Sequence, residues 1–345
     1  MTIRLLRRSV LLAGATAIAL SGCSQSQSAQ PLGANLAVQT QKVQPHVKPQ
    51  KPLPSQLLFL TTGLGSIDIY SLAKPDQPLQ TIDGLHESQQ QMDVDAGGDL
   101  YVVNNGSIED DNYIGVYAPP YDGTPTILTA AWQGVTFYPI GVTVDASGTV
   151  YVTNCGNYCG ETPAVYVYPK GVNAPAKQIT AAGFDSLAGL AVDRASNIYV
   201  INWITATDAV DVFTSKAGAL KFTPMHLRGL ITGDGGNGLS FDAAGNLYVA
   251  NISSGTNFVA EYKPGKRDIA RIIDSMPFTL EPEMIDVGPD GNLYVPIFCS
   301  FTPCPLAYGF KPAAKNAFES IGGGQSGVGV LGAATAPNLQ LEGSR

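Results

Sequence analysis

Leu239-Ser240-Phe241-Asp242-Ala243-Ala244-Gly245-Asn246-Leu247-Tyr248-Val249 decides the fold, because the chain repeats it. Variants stand at Met92–Val102 (MDVDAGGDLYV), Val142–Val152 (VTVDASGTVYV), Leu190–Val200 (LAVDRASNIYV) and Met284–Val295 (MIDVGPDGNLYV). Their tyrosines, Tyr101, Tyr151, Tyr199, Tyr248 and Tyr294, are 50, 48, 49 and 46 residues apart. A second phrase follows each: YIGVY at Tyr113–Tyr117, AVYVY at Ala164–Tyr168, AVDVF at Ala209–Phe213, FVAEY at Phe258–Tyr262 and LAYGF at Leu306–Phe310. A sixth copy, SIDIY, lies upstream at Ser66–Tyr70.

A period in the forties with four short strands per repeat predicts propeller blades. Strand A covers Gly141–Val144 in one repeat, B Val150–Thr153, C Val165–Tyr168 and D Gln178–Thr180. β-branched and aromatic residues fill these runs, and Gly, Pro, Asn and Asp separate them. The first copy has B (Leu57–Leu60), C (Ile67–Tyr70) and D (Leu79–Ile82) but no A. Gly327–Val330 resembles the missing strand and follows a D-like run at Ala317–Ile321. The expectation is an all-β, six-bladed propeller over 57–331, its first blade completed by a C-terminal strand, with a tail at 332–345. Such closure favours a ring over an open solenoid.

The phrases resemble NHL-type and SMP-30-like propeller repeats, over roughly residues 57–331. The resemblance implies the fold. It implies no single function, because such propellers include enzymes, binders and scaffolds.

Only 14 % of residues are charged and 44 % are hydrophobic, with 38 Gly and 24 Pro. This suits neutral strands and many turns, not long helices. Net charge is −8, and no Lys/Arg run stands out beyond the N-terminus. A binder of phosphate backbones needs basic patches, so nucleic acid is excluded as the expected partner.

Residues 1–22 read as an export signal. Arg4, Arg7 and Arg8 precede an apolar run from Leu11 to Leu20, too short to span a bilayer. Leu20-Ser21-Gly22-Cys23 resembles the lipobox of bacterial lipoproteins, which implies a lipid on Cys23 (palmitate among the acyl groups) and membrane attachment. Arg7-Arg8 fits a twin-arginine signal only in part, so the export route stays open. Residues 23–56, rich in Ser, Gln, Pro and Ala, form a flexible tether. Ser24 after Cys23 resembles the outer-membrane sorting pattern, so the expected address is the cell envelope, periplasmic side, and the outer membrane of a Gram-negative cell.

Asp95, Asp145, Asp193 and Asp242 each precede a turn residue by three positions, Gly98, Gly148, Ser196 and Gly245. An Asp side chain there accepts backbone N–H groups of a tight A–B turn. Gly288 replaces it in the last repeat, with Asp290 close by. The tyrosines of strand B read as packing between blades. Asn104, Asn154, Asn202 and Asn251 each follow strand B, where their amides either cap a loop or line the funnel mouth.

Setting Cys23 aside leaves four cysteines. Cys155 and Cys159 follow one strand B, and Cys299 and Cys304 occupy the same loop three blades away. Opposite blades are too far apart for cross-pairing, so two local disulfides are expected.

Histidines are few (His46, His86, His226), and no HExxH, GxSxG or nucleotide-cradling motif occurs. The favoured reading is a non-catalytic binding or scaffold propeller, its partner an envelope protein, peptide or glycan. Trp132, Phe137, Tyr138, Trp203 and Phe301 are candidates for a recognition surface. The alternative, from the SMP-30-like resemblance, is a lactonase-like hydrolase or a lyase using Ca²⁺ in the central channel. Asn104, Asn154, Asn202, Asn251, Asp185, Glu281 and Glu283, with Glu87, are its candidate oxygen ligands.

Overall fold

Blade five shows how the repeat folds. Leu239–Phe241 turns through Asp242 into Leu247–Asn251, which pairs antiparallel with Phe258–Tyr262, which pairs with Arg271–Ile273. Alternate residues of each strand point to opposite faces, and both faces of the central strands are buried. The inner pair is therefore almost wholly apolar, while Arg271–Ile273 at the rim is partly exposed.

The computed structural model describes residues 53–336 apart from 87, 107–111, 130–136, 157–158, 205–208, 231–237, 253–255, 275–280, 299–304, 315, 318 and 323–331. Within these residues the chain forms six antiparallel sheets. Blade two runs Ser88–Val94, Leu100–Asn105, Tyr113–Tyr117, Thr126–Leu128. Blade three runs Pro139–Val144, Val150–Asn154, Ala164–Tyr168, Lys177–Ile179. Blade four runs Ser186–Val192, Ile198–Ile204, Ala209–Ser215, Thr223–Pro224. In blade six the inner strand is split into Glu281–Pro282 and Asp286–Val287, both paired with Leu293–Phe298, and Ala307–Phe310 and Glu319–Ile321 complete it.

The first blade is Leu57–Thr61, Ser66–Ser71 and Gln80–Asp83, completed on its inner edge by Ala333–Ala336 from the other end of the chain. Leu57 faces Ala336 and Leu60 faces Ala333. The closing strand is therefore a C-terminal strand A, but six residues beyond Gly327–Val330, which lie outside the described residues. It falls in the stretch expected to be a tail. The reason is steric. A Cβ on Gly332 would lie 2.2 Å from the Gln90 carbonyl oxygen. Ala333, Ala334 and Ala336 are buried between neighbouring blades. Small residues fit this crowded edge although alanine is a weak strand former, so the Gly-Val run resembles a strand A more closely in sequence.

Hydrophobic clusters join each blade to the next. Leu57 and Phe59 of blade one pack with Met92 and Val102 of blade two. Around the ring, Tyr294 and Ala307 of blade six pack with Leu58 and Tyr70 of blade one. The strand-B tyrosines Tyr101, Tyr151, Tyr199, Tyr248 and Tyr294 each sit in such a cluster. Their regular spacing follows from inter-blade packing.

Candidate functional site

The A–B turns use the recurring aspartates structurally. Asp242 Oδ1 accepts the backbone N–H groups of Ala244 (2.9 Å) and Asn246 (2.8 Å), and its Oδ2 accepts the Tyr248 hydroxyl (3.2 Å). Asp145 and Asp193 repeat this with Tyr151 and Tyr199, and Asp95 accepts from Gly97 and Asp99. Where Gly288 replaces the aspartate, Asp290 takes over and accepts from the Asn292 N–H (3.0 Å) and the Tyr294 hydroxyl (2.7 Å). Ser196 adopts φ 58° where the other turns use glycine, for example Gly245 at 82°.

The strand-B asparagines are buried. Their carboxamide oxygens accept N–H groups from the incoming D–A connection: Asn104 from His86 (3.0 Å), Asn154 from Tyr138 (2.7 Å) and Asn202 from Asp185 (2.7 Å). Asn202 also donates to the Gly183 carbonyl (3.0 Å), and Asn251 to that of Ile252 (3.2 Å).

The centre of the ring holds groups that no motif pointed to. One position near the end of strand A, paired with the strand-B tyrosine, carries Asp93, Thr143, Ala191, Ser240 and Asp286 in blades two to six, and its counterpart in blade one is Ala334, paired with Phe59 and next to Thr335. Asp93 Oδ2 accepts from Thr143 Oγ1 (2.7 Å) and the Val144 N–H (2.8 Å), and its Oδ1 from the Val94 N–H (2.7 Å). Asp286 Oδ2 accepts from Thr335 Oγ1 (2.7 Å), and its Oδ1 from Ser240 Oγ (3.1 Å) and the Val287 N–H (2.8 Å). Each carboxylate thus caps unpaired N–H groups on the inner edges of the blades and ties neighbours together. Both lie deep in the protein yet keep some accessible surface. Burial pushes the Asp93 carboxyl up to about 7; the nearby Asp286 charge adds to this, and the hydrogen bonds from Thr143 and the backbone oppose it. Asp286 is raised as well, again by burial.

Gln91 spans this centre. Its Nε2 donates to the Leu190 carbonyl (2.7 Å), and its Oε1 accepts the Leu190 N–H (3.0 Å), two blades away. Gly141 makes room for it. A Cβ there would lie 2.8 Å from Gln91 Oε1 and 2.6 Å from Leu190 Cδ2.

Solved structures share this ring. A protein of unknown function from Bacteroides caccae superposes with a TM-score of 0.59 at 11 % identity, covering 82 % of this chain and 99 % of its own. A gluconolactonase from Xanthomonas campestris superposes at 0.54 with 15 % identity, covering 83 % and 91 %. At these identities the likeness carries the six-bladed fold. No protein-family model matches the chain, and no curated protein sequence matches it.

Much of the funnel-mouth set is engaged within the protein itself. Three of the four asparagine oxygens already accept backbone N–H groups, and Asp185, Glu281 and Glu283 each have partners of their own. Among the described residues no three His, Cys, Asp or Glu side chains converge as metal ligands would. Glu87 lies outside those residues. Phe137 is buried against Tyr166 (ring centroids 5.7 Å), so it covers a blade end. Trp203 is half-buried at the end of strand B in blade four. Trp132 and Phe301 lie outside the described residues, as do His46, Cys23, Cys299 and Cys304 with the second disulfide. Cys155 and Cys159 are disulfide-bonded, their Cα atoms 5.9 Å apart.

Sequence reasoning missed Gln91, Asp93 and Asp286. Aligning the repeats on their A–B turns would have revealed Asp93 and Asp286, because only those two copies place a carboxylate in a column of small residues.

Proposed function

We propose that this chain is a lipid-anchored envelope protein whose propeller binds a ligand and catalyses no reaction. The observation that supports this is the commitment of the channel's polar groups. Asp93, Asp286 and Gln91 spend their hydrogen-bonding capacity on clasping blades together. A catalytic carboxylate needs an oxygen open to substrate, and these oxygens are taken up by Thr143, Thr335, Ser240 and backbone N–H groups. The Cys155–Cys159 disulfide suits an oxidising compartment, in keeping with export. Acylation at Cys23 would hold the ring at the membrane, the outer one in a Gram-negative cell, through the tether of residues 23–56. The partner would be an envelope protein, peptide or glycan.

Two measurements test this. Intact-mass analysis of the membrane fraction should find the lipid on Cys23, and Cys23→Ser should release the protein from membranes. The full chain incubated with a sugar lactone and calcium should hydrolyse it no faster than buffer. Calcium-dependent turnover would replace the binding reading with the hydrolase one.

A further inference from the structure

Blades four and five part at their A–B-turn ends to leave a cleft of about 380 Å³. That is within the size range of small-molecule sites. Tyr199, Met225 and Leu247 contribute to its walls, and Arg194, Lys263 and Lys266 stand around it.

The charge is out of place in two ways. The chain as a whole is acidic, with 28 Asp and Glu against 20 Lys and Arg. The turns themselves do not need it either. The position of Arg194 is Ala96, Ala146 and Ala243 in the equivalent turns of blades two, three and five. Arg194 and Lys266 are exposed, and among the described residues neither makes an ion pair. Lys263 meets Glu261, but Arg271 Nε also binds that carboxylate at 2.6 Å. One acid therefore faces two bases, and a positive charge is left over. Asp268 is balanced by Arg228 (3.1 Å). Asp193 lines the cleft too, but its carboxylate oxygens accept from the Ala195 and Asn197 N–H groups, the Asn197 side chain and the Tyr199 hydroxyl.

We propose that this cleft binds a phosphate monoester carried on a polyol-sized body. An arginine and two lysines match a doubly charged phosphate better than a single carboxylate, and the guanidinium offers two parallel donors to it. The aromatic and aliphatic wall would cover the uncharged part. This names a ligand class for the binding reading above and rests on that reading only in that the ligand is bound and not turned over. Cys23 plays no part. A failed titration leaves the anchor intact, and a failed acylation assay leaves the cleft intact.

The test is calorimetric titration of the full-length chain, in detergent at low salt, with glycerol 3-phosphate, inorganic phosphate, glycerol and mixed micelles of phosphatidylglycerol in the same detergent. Glycerol 3-phosphate should bind, glycerol should not, and added salt should weaken the binding. Arg194→Ala and Lys266→Ala should each lower affinity about tenfold, the scale of one charge-assisted contact. Arg194→Lys should recover part of the loss. The melting temperature of Arg194→Ala should not move, since alanine already serves at that position in three other turns. Absence of binding by both soluble phosphates would overturn the proposal. So would unchanged affinity in the double variant, or binding to the phosphatidylglycerol micelles alone, which would assign the charge to a lipid surface.

Discussion

Thr335 donates its hydroxyl to Asp286 at 2.7 Å, joining the strand Ala333–Ala336 to the innermost strand of blade six. The same strand pairs with Leu57–Thr61 of blade one. Two closures therefore coincide, one made by backbone pairing within blade one and one made by side chains between blades six and one.

Truncation should show how much the ring depends on that strand. A chain ending at Leu331 loses the inner edge of blade one and the Thr335 hydroxyl together. It should lose its cooperative thermal transition by circular dichroism and become sensitive to protease. Removing Ser24–Gln50 should leave the transition where it was. Thr335→Val, which keeps the shape and deletes the donor, should cost about 1–3 kcal/mol, the range for a buried acceptor deprived of one partner.

Stability should fall as pH rises. Burial holds the Asp93 carboxyl at about 7 in the folded chain, against about 3.9 for an unfolded aspartate. Between those values the folded state carries a proton that the unfolded state has lost. Raising pH across that window therefore favours unfolding, and the loss is complete above about 7. Asp286 pushes in the same direction. Other carboxylates add slopes of their own, so the diagnostic is a difference. Asp93→Asn, which cannot ionise, should flatten the fall between pH 4 and 7 seen in urea titrations of the parent. An unchanged slope in the variant would remove Asp93 as its source.

Gln91 should matter more than a surface glutamine. Gln91→Ala leaves the Leu190 N–H and carbonyl without their side-chain partner at the centre of the ring. The expected loss is about 2–4 kcal/mol, two buried groups at the usual cost. Gly141→Ala should also destabilise, because its Cβ would meet Leu190 Cδ2 at 2.6 Å and Thr153 Oγ1 at 2.8 Å. Both follow from chemical denaturation midpoints.

Much of this architecture is legible in the repeats, for reasons the structure makes plain. Asp242 and Tyr248 recur because one turn needs an N–H acceptor and that acceptor also holds the tyrosine hydroxyl. Asn104, Asn154 and Asn202 recur because three D–A connections each bring an N–H group to the end of strand B. Such local bonds leave a periodic trace. The closing strand left none, since Ala333–Ala336 was selected for size at a crowded edge and not for strand propensity. Gln91 was also hidden. Its partner Leu190 lies 99 residues away, and only the ring brings them together. The cationic cleft combines turns from two repeats, so no single copy of the repeat contains it.

The turn aspartates offer a final test of structure against function. Asp242→Ala removes an acceptor from the Ala244 and Asn246 N–H groups and from the Tyr248 hydroxyl. If the residue serves the turn, the variant should lose about 1–3 kcal/mol, since two backbone groups and a hydroxyl lose an acceptor but can turn to water at this exposed end. Asp145→Ala should lose a similar amount, because its turn is built in the same way. The two losses should add in the double variant, because these turns lie in different blades and share no partner. Ligand affinity at the cleft should separate them. Asp242 belongs to blade five, whose turn residues Ala243 and Ala244 line the cleft, whereas Asp145 belongs to blade three. Asp242→Ala should therefore disturb glycerol 3-phosphate binding, and Asp145→Ala, equally costly to the fold, should leave it unchanged.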